Sequence, residues 1–242
     1  MRLATNCSIS VAIKIMAFDG PSDMNARARL WTLLGQHKLA IKDYSDYLNV
    51  HVFMADVVYK RALTYLKVGN LESALKDFDV LIAREPNSQN TPLAYMGRSS
   101  VKVGLKQFDD ALQDMNKAIS LRPKPAPRLY YQRGLIWQKK KNTAKALADF
   151  SKVIELKADS FDAYFRRGFI LISLKRFDDA ARDFEAAHKL KPRKVATIVT
   201  LAKLMKHKGD TARADALMST AREINPALTK KIMEMINFGD GK

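Results

Sequence analysis

Small and large apolar residues recur along this chain with one long period. An alanine is followed four residues later by a large apolar residue at Ala40/Tyr44, Ala74/Phe78, Ala111/Met115, Ala146/Phe150, Ala180/Phe184 and Ala214/Met218. Successive alanines stand 34, 37, 35, 34 and 34 residues apart. A spacing of four puts both members of a pair on one helix face. A recurrence near 34 marks a tandem array of helix–turn–helix units. Each unit is too small to bury its own apolar face, so neighbours must stack. Placing the alanine at position 20 gives six units: 21–54, 55–88, 92–125, 127–160, 161–194 and 195–228.

Other positions follow the same register. Position 8 is small in all six units: Ala28, Ala62, Ser99, Gly134, Gly168 and Ala202. Two helices that cross closely need small residues at the contact, and position 20 supplies the matching one. Position 32 is Pro86, Pro123, Pro192 and Pro226 in four units, where proline ends the second helix. Past the sixth unit, Leu228, Ile232, Met235 and Ile236 recur at helical spacing, so 229–242 is expected to hold a cap helix and tail. Residues 1–20 read as an N-terminal segment or a degenerate half-repeat. Arg2 and Lys14, with no acid before Asp19, leave a targeting segment as the other reading.

These residues resemble the tetratricopeptide repeat family. The small residue at 8, Trp31, Tyr65 and Trp137 at position 11, the alanine at 20, the bulky residue at 24 and the proline at 32 all follow its pattern over residues 21–228. The resemblance implies an all-α, right-handed superhelical solenoid of helix–turn–helix repeats closed by a C-terminal cap helix. It also implies an inner groove lined by first-helix positions 2, 5, 9, 12 and 13. Carried over, that groove includes Tyr59, Leu63, Met96, Arg128, Tyr131, Leu135, Phe165, Phe169 and Lys203. So apolar a lining suits an amphipathic helix or an extended apolar peptide. The alternative is that some of these residues, position 5 above all, pack against neighbouring helices. The carboxylate clamp of chaperone-binding members is disfavoured: Tyr59, Leu63, Gly97, Arg128 and Gln132 stand where its lysines, asparagines and arginine belong. Lys102, at a position usually aromatic, is expected to weaken the third unit. Gln89, Asn90 and Thr91 lengthen the loop before that unit, and Pro125, Ala126 and Pro127 stiffen the loop after it.

One correlation is internal to the array. Position 7 is Arg27, Arg61, Arg98, Arg133 and Arg167, then Leu201; position 23 is Asp43, Asp77, Asp114, Asp149 and Asp183, then Leu217. Both members change together in the sixth unit, so positions 7 and 23 are expected to touch. Leucine at Arg133 alone should destabilise, and leucine at both Arg133 and Asp149 should recover stability.

Charge adds a second lead. The chain carries 42 basic and 25 acidic residues, net +17. The excess is lopsided: residues 1–88 have 11 basic against 9 acidic side chains, and the remainder holds the rest. Lys102, Lys106, Lys139, Lys140, Lys141, Lys175, Arg176, Lys206 and Lys208 fall near the ends of first helices, where stacking would align them into a basic ridge. Cations there complement the helix dipole, yet the excess also attracts anionic partners. The single cysteine, Cys7, excludes an intrachain disulfide framework and a Cys-rich zinc site. No apolar run is long enough to span a bilayer. His37, His51, His188 and His207 lack metal-ligand spacing, and no phosphate loop or nucleophile elbow occurs. We therefore expect no enzyme and no cofactor. The expected role is a scaffold binding an acidic protein segment with apolar anchors. The alternative is a basic edge that binds RNA or an acidic membrane, the former without a recognisable RNA-binding signature. The cytoplasm is the expected location, with mitochondrial import or peripheral membrane association as alternatives.

Overall fold

The computed structural model describes residues 21–236. The segment 1–20, Cys7 included, and the tail 237–242 lie outside the described residues. Among the described residues there are thirteen α-helices and no strand. The chain divides into two compact units, the first ending at Lys124 and the second starting at Pro125. The boundary falls in the loop carrying Pro123, Pro125 and Pro127.

The first unit holds α1 (Pro21–Leu33), α2 (His37–Val50), α3 (Ala55–Lys67), α4 (Leu71–Arg84), α5 (Thr91–Gly104) and α6 (Phe108–Ser120). The second holds α7 (Pro127–Lys139), α8 (Thr143–Leu156), α9 (Phe161–Ser173), α10 (Phe177–Leu190), α11 (Val195–His207), α12 (Thr211–Ile224) and α13 (Pro226–Met235). The helices pair as hairpins, α1 with α2 through α11 with α12.

Size complementarity explains the hairpins. Ala40, Ala74, Ala111, Ala146 and Ala180 are fully buried, and so are Phe78, Phe150 and Phe184 beside them. The small residue at position 8 makes room for the ring. A Cβ added at Gly168 would lie 2.7 Å from the Phe184 ring, and one at Gly134 would lie 3.0 Å from Phe150. Gly97 performs the same service between hairpins, since its Cβ would stand 2.3 Å from Phe78. The residue that breaks the clamp pattern is thus required by packing.

The arginine–aspartate correlation is a ladder of two-pronged ion pairs. In each of the first five hairpins Nε donates to one carboxylate oxygen and Nη2 to the other. The distances are 2.7 and 2.9 Å for Arg27–Asp43 and 2.9 and 2.7 Å for Arg61–Asp77. They are 3.0 and 2.7 Å for Arg98–Asp114, 2.9 and 2.7 Å for Arg133–Asp149, and 2.8 and 2.7 Å for Arg167–Asp183. Hydrogen bonding to these buried carboxylates, opposed by desolvation, holds every one of the arginines above its ordinary pKa. In the sixth hairpin Leu201 is buried in an apolar cluster against which Leu217 packs.

Sequence reasoning missed the third prong. Arg61 Nη1 donates to Ser45 at 3.2 Å, Arg98 Nη1 to Asp79 at 2.8 Å and Arg167 Nη1 to Ser151 at 3.1 Å. Each acceptor sits at position 25 of the preceding hairpin. One guanidinium therefore fixes the angle within a hairpin and the register between two hairpins. Lys102 also has a partner within its hairpin. Its Nζ lies 2.8 Å from Asp114, so the unusual residue at position 11 adds a second cation to that carboxylate.

All six hairpin turns pass through the left-handed region at position 15, with Gly35, Gly69 and Gly209 at φ 76, 77 and 85° and Lys106, Lys141 and Lys175 at φ 61, 58 and 58°. Asn70, Asn142 and Asp210 follow as N-caps of α4, α8 and α12, their side chains accepting from Ser73, Lys145 and Arg213 backbone N–H groups.

The last helix begins at Pro226, three residues before the expected cap. Asn225 accepts from the Leu228 N–H, and Pro226 occupies the first turn, where its missing N–H costs nothing. Its inward face also differs from the expected one. Leu228 and Met235 are exposed, whereas Thr229 is buried and Ile232 packs on the Val195, Ile198, Val199 and Ala202 cluster. The Thr229 hydroxyl donates to the Ala221 and Asn225 carbonyls, both at 2.8 Å.

Candidate interaction surface

Three position-5 aromatics share one geometry. Tyr59 lies edge-on to Phe78 with centroids 6.0 Å apart, Tyr131 to Phe150 at 5.6 Å and Phe165 to Phe184 at 5.7 Å. Each rests on a fully buried position-24 ring and remains half-buried itself. A ring so held presents apolar surface with few rotamers left to freeze on binding. In α9 the arrangement extends: Phe161 stacks on Phe165 at 5.5 Å, and Phe169 meets Phe165 at 4.9 Å and Phe184 at 5.1 Å.

The other groove residues divide. Leu63 and Leu135 are half-buried and Arg128 is exposed. Met96 is only 6% exposed and belongs to the interior of the first unit. Lys203 donates through Nζ to the Met233 carbonyl at 2.6 Å and also to the Ile236 carbonyl, so it caps the C-terminus of α13. Met96 and Lys203 are thus spent on the protein itself. Position and residue type suggested groove lining for both; which neighbour covers them is set by packing.

The residues expected to form a basic ridge also divide. Lys102 is tied to Asp114, Arg176 to Asp179 at 2.6 Å and Lys208 to Asp178 at 2.7 Å. Hydrogen bonds from these cations hold the Asp178 and Asp179 carboxyls below the usual carboxylate range, with Arg182 assisting at Asp179. Lys106, Lys139, Lys140, Lys141, Lys175 and Lys206 are exposed at the turns. Trp31 is buried, but Trp137 is half-buried with the Lys145 Nζ 4.4 Å from its ring centre.

The first unit contains a pocket that was not expected. About 150 Å³ of space is lined by Ala55, Asp56, Tyr59, Leu81, Glu85, Asn90, Thr91, Leu93 and Ala94. Its signal in the sequence is the three-residue lengthening of the loop before α5. Two of the added residues, Asn90 and Thr91, line the pocket, and the Thr91 hydroxyl donates to the Glu85 carbonyl. Asp56 and Glu85 make this rim acidic, opposite in sign to the turns of the second unit. No helix among the described residues is long and apolar enough to cross a membrane.

Helical hairpins of about 34 residues, each closed by small-on-large contacts and repeated along the chain, define a helical-repeat protein. Family profiles described as tetratricopeptide repeat match residues 56–88, 93–125, 127–160 and 161–194, more than half of the chain. The chain belongs to the tetratricopeptide repeat family. Human Tetratricopeptide repeat protein 13 is 28% identical over 190 residues, covering 72% of this chain and 22% of that protein. Human Mitochondrial import receptor subunit TOM70 is 26% identical over 182 residues, covering 72% of this chain and 30% of its own length. The chain thus spans between about a fifth and a third of these relatives. Among solved structures, the C-terminal part of a TPR repeat-containing protein from Cytophaga hutchinsonii has a TM-score of 0.70 at 20% identity, covering 95% of this chain and 93% of that one. YrrB, described as a TPR protein with an unusual peptide-binding site, has a TM-score of 0.62 at 20% identity, covering 79% of this chain and 96% of its own. These structural likenesses show the fold.

Proposed function

We propose that this protein is an interaction scaffold that binds a peptide or helix of a partner protein along its first-helix face, with apolar anchors and acidic flanks. The observation that carries the reading is the set of position-5 aromatics, each half-buried and held edge-on over a buried phenylalanine. Such preorganised rings suit apolar anchor residues. The excess of cations at the turns suits acidic flanks. The description of YrrB as having a peptide-binding site supports the same use of the fold. We assign the chain no catalytic activity.

The test is a display library of twelve-residue peptides selected on the full chain, with binding measured across a range of salt. Apolar-anchored, acidic peptides should be enriched, and Tyr131→Ala should weaken them without loss of helicity. A basic edge acting on RNA or an acidic membrane predicts otherwise. Affinity would then follow phosphate content, fall steeply with salt and ignore Tyr131.

A further inference from the structure

We propose that the α7–α8 turn, with the depression between it and α9, is a subsite for one carboxylate of an acidic partner segment, whose neighbouring apolar side chain rests on Phe169 and Ile170. The proposal deepens the scaffold reading and rests on it.

The depression measures about 330 Å³ and is lined by Gln138, Lys141, Thr143, Phe169, Ile170 and Ser173. Its lining has an apolar floor, three neutral hydrogen-bonding side chains, one cation and no acid. That is the complement of a carboxylate beside an apolar group.

The charge around it differs from that at the corresponding turns. The second helices α6 and α10 begin with Asp109–Asp110 and Asp178–Asp179. At the second of these turns the acids are already engaged by Arg176, Arg182 and Lys208. The helix α8 begins Thr143, Ala144, Lys145, with no acid in its first turn. Lys139, Lys141 and Lys145 therefore fall within seven residues that contain no acid. Lys139 and Lys141 form no ion pair among the described residues.

The backbone supplies an independent observation. Lys141 stands at φ 58°, where three of the six turns use glycine. A side chain at positive φ is disfavoured unless something else selects it, and such positions gather at functional sites. Lys106 and Lys175 share the conformation, but each lies just before an acidic first turn. At Lys141 alone do the strained lysine, the missing acid and the depression coincide. A phosphodiester chain would engage only the lysines. An acidic residue with an apolar neighbour uses the whole lining.

The experiment measures fluorescence anisotropy of a labelled peptide, Glu-Glu-Leu-Phe repeated three times, on the full chain. Controls replace every Glu by Gln, or every Leu and Phe by Ala. Single-stranded oligouridine and phosphatidylserine vesicles complete the set. Wild type should bind the acidic apolar peptide best. Lys141→Gly should weaken it about tenfold, the loss expected for one charge-assisted hydrogen bond. Its melting temperature should not fall, because glycine suits the backbone there. Lys106→Gly and Lys175→Gly should change affinity less than about twofold, since neither lines the depression. Equal affinity of Lys141→Gly and wild type overturns the subsite and leaves the scaffold reading standing. Stronger binding of oligouridine or vesicles than of the peptide, lost in Lys141→Gly, overturns the carboxylate assignment. Failure of wild type to bind any of the peptides overturns both readings.

Discussion

Replacing Arg167 by leucine strands the Asp183 carboxylate. Asp183 is 4% exposed, and Arg167 takes both of its oxygens, at 2.8 and 2.7 Å. Removing the arginine leaves a buried charge without its partner, which costs about 3–5 kcal/mol. The Ser151 hydroxyl also loses its 3.1 Å donor, a term of about 1 kcal/mol. The reverse change is cheaper. The Arg167 side chain is 24% exposed, so in Asp183→Leu the guanidinium reaches water and the loss is about 1–2 kcal/mol. The double variant removes both charges and gives the fifth hairpin the pair that the sixth already has, Leu201 and Leu217. It should lie within about 1 kcal/mol of wild type, a coupling of about 3 kcal/mol or more. Urea unfolding followed by far-UV circular dichroism at neutral pH measures all four proteins. The coupling should not titrate from the arginine side. A raised guanidinium pKa confers stability that is present below the unfolded value and is lost only in strong alkali. A double variant as unstable as the sum of the singles, within about 0.5 kcal/mol, refutes the pairing argument.

The remaining expectations concern packing, turns and acid. Gly97→Ala should destabilise by about 1–3 kcal/mol in urea, because the new methyl meets the Phe78 ring at 2.3 Å. Gly104→Ala should be tolerated, since its nearest neighbour is the flexible end of Leu71 at 3.0 Å. Lys106→Gly should stabilise by about 0.5–1 kcal/mol and Gly69→Lys should cost a similar amount, both read as shifts in urea midpoint, because φ is positive at each site. Carboxyl NMR should find Asp178 titrating below the usual range, and Lys208→Met should return it there. The sign follows from the lowered pKa: this contact stabilises above the unfolded value and is lost as pH falls through the folded one, so Lys208→Met should flatten stability only on the acid side of about pH 4.

Much of the fold is written locally. The recurrence of Ala40, Ala74, Ala111, Ala146, Ala180 and Ala214 carries the hairpins, because a helix face is a short-range periodicity and a repeated face is a repeated unit. The shared switch of Arg and Asp to Leu201 and Leu217 carries the pairing, because a contact conserved within one array leaves a joint record. Other features depend on which side chain another element covers. Met96 and Phe165 both look like groove residues in a repeat register, yet one is interior and the other stays half-buried over Phe184. Lys203 is a cation on a first helix until the last helix ends against it. Lys102 departs from its repeat until Asp114 stands 2.8 Å away. The third prongs of Arg61, Arg98 and Arg167 join side chains 16 or 19 residues apart in neighbouring hairpins, a link that no pattern within one unit contains. The sequence alone determined the repeat, its register and its internal pairings, because these follow from spacing along a helix. Only tertiary structure decided which apolar residues stay exposed, which cations are already neutralised and where the depression beside Lys141 lies, because burial and charge compensation belong to surfaces in contact.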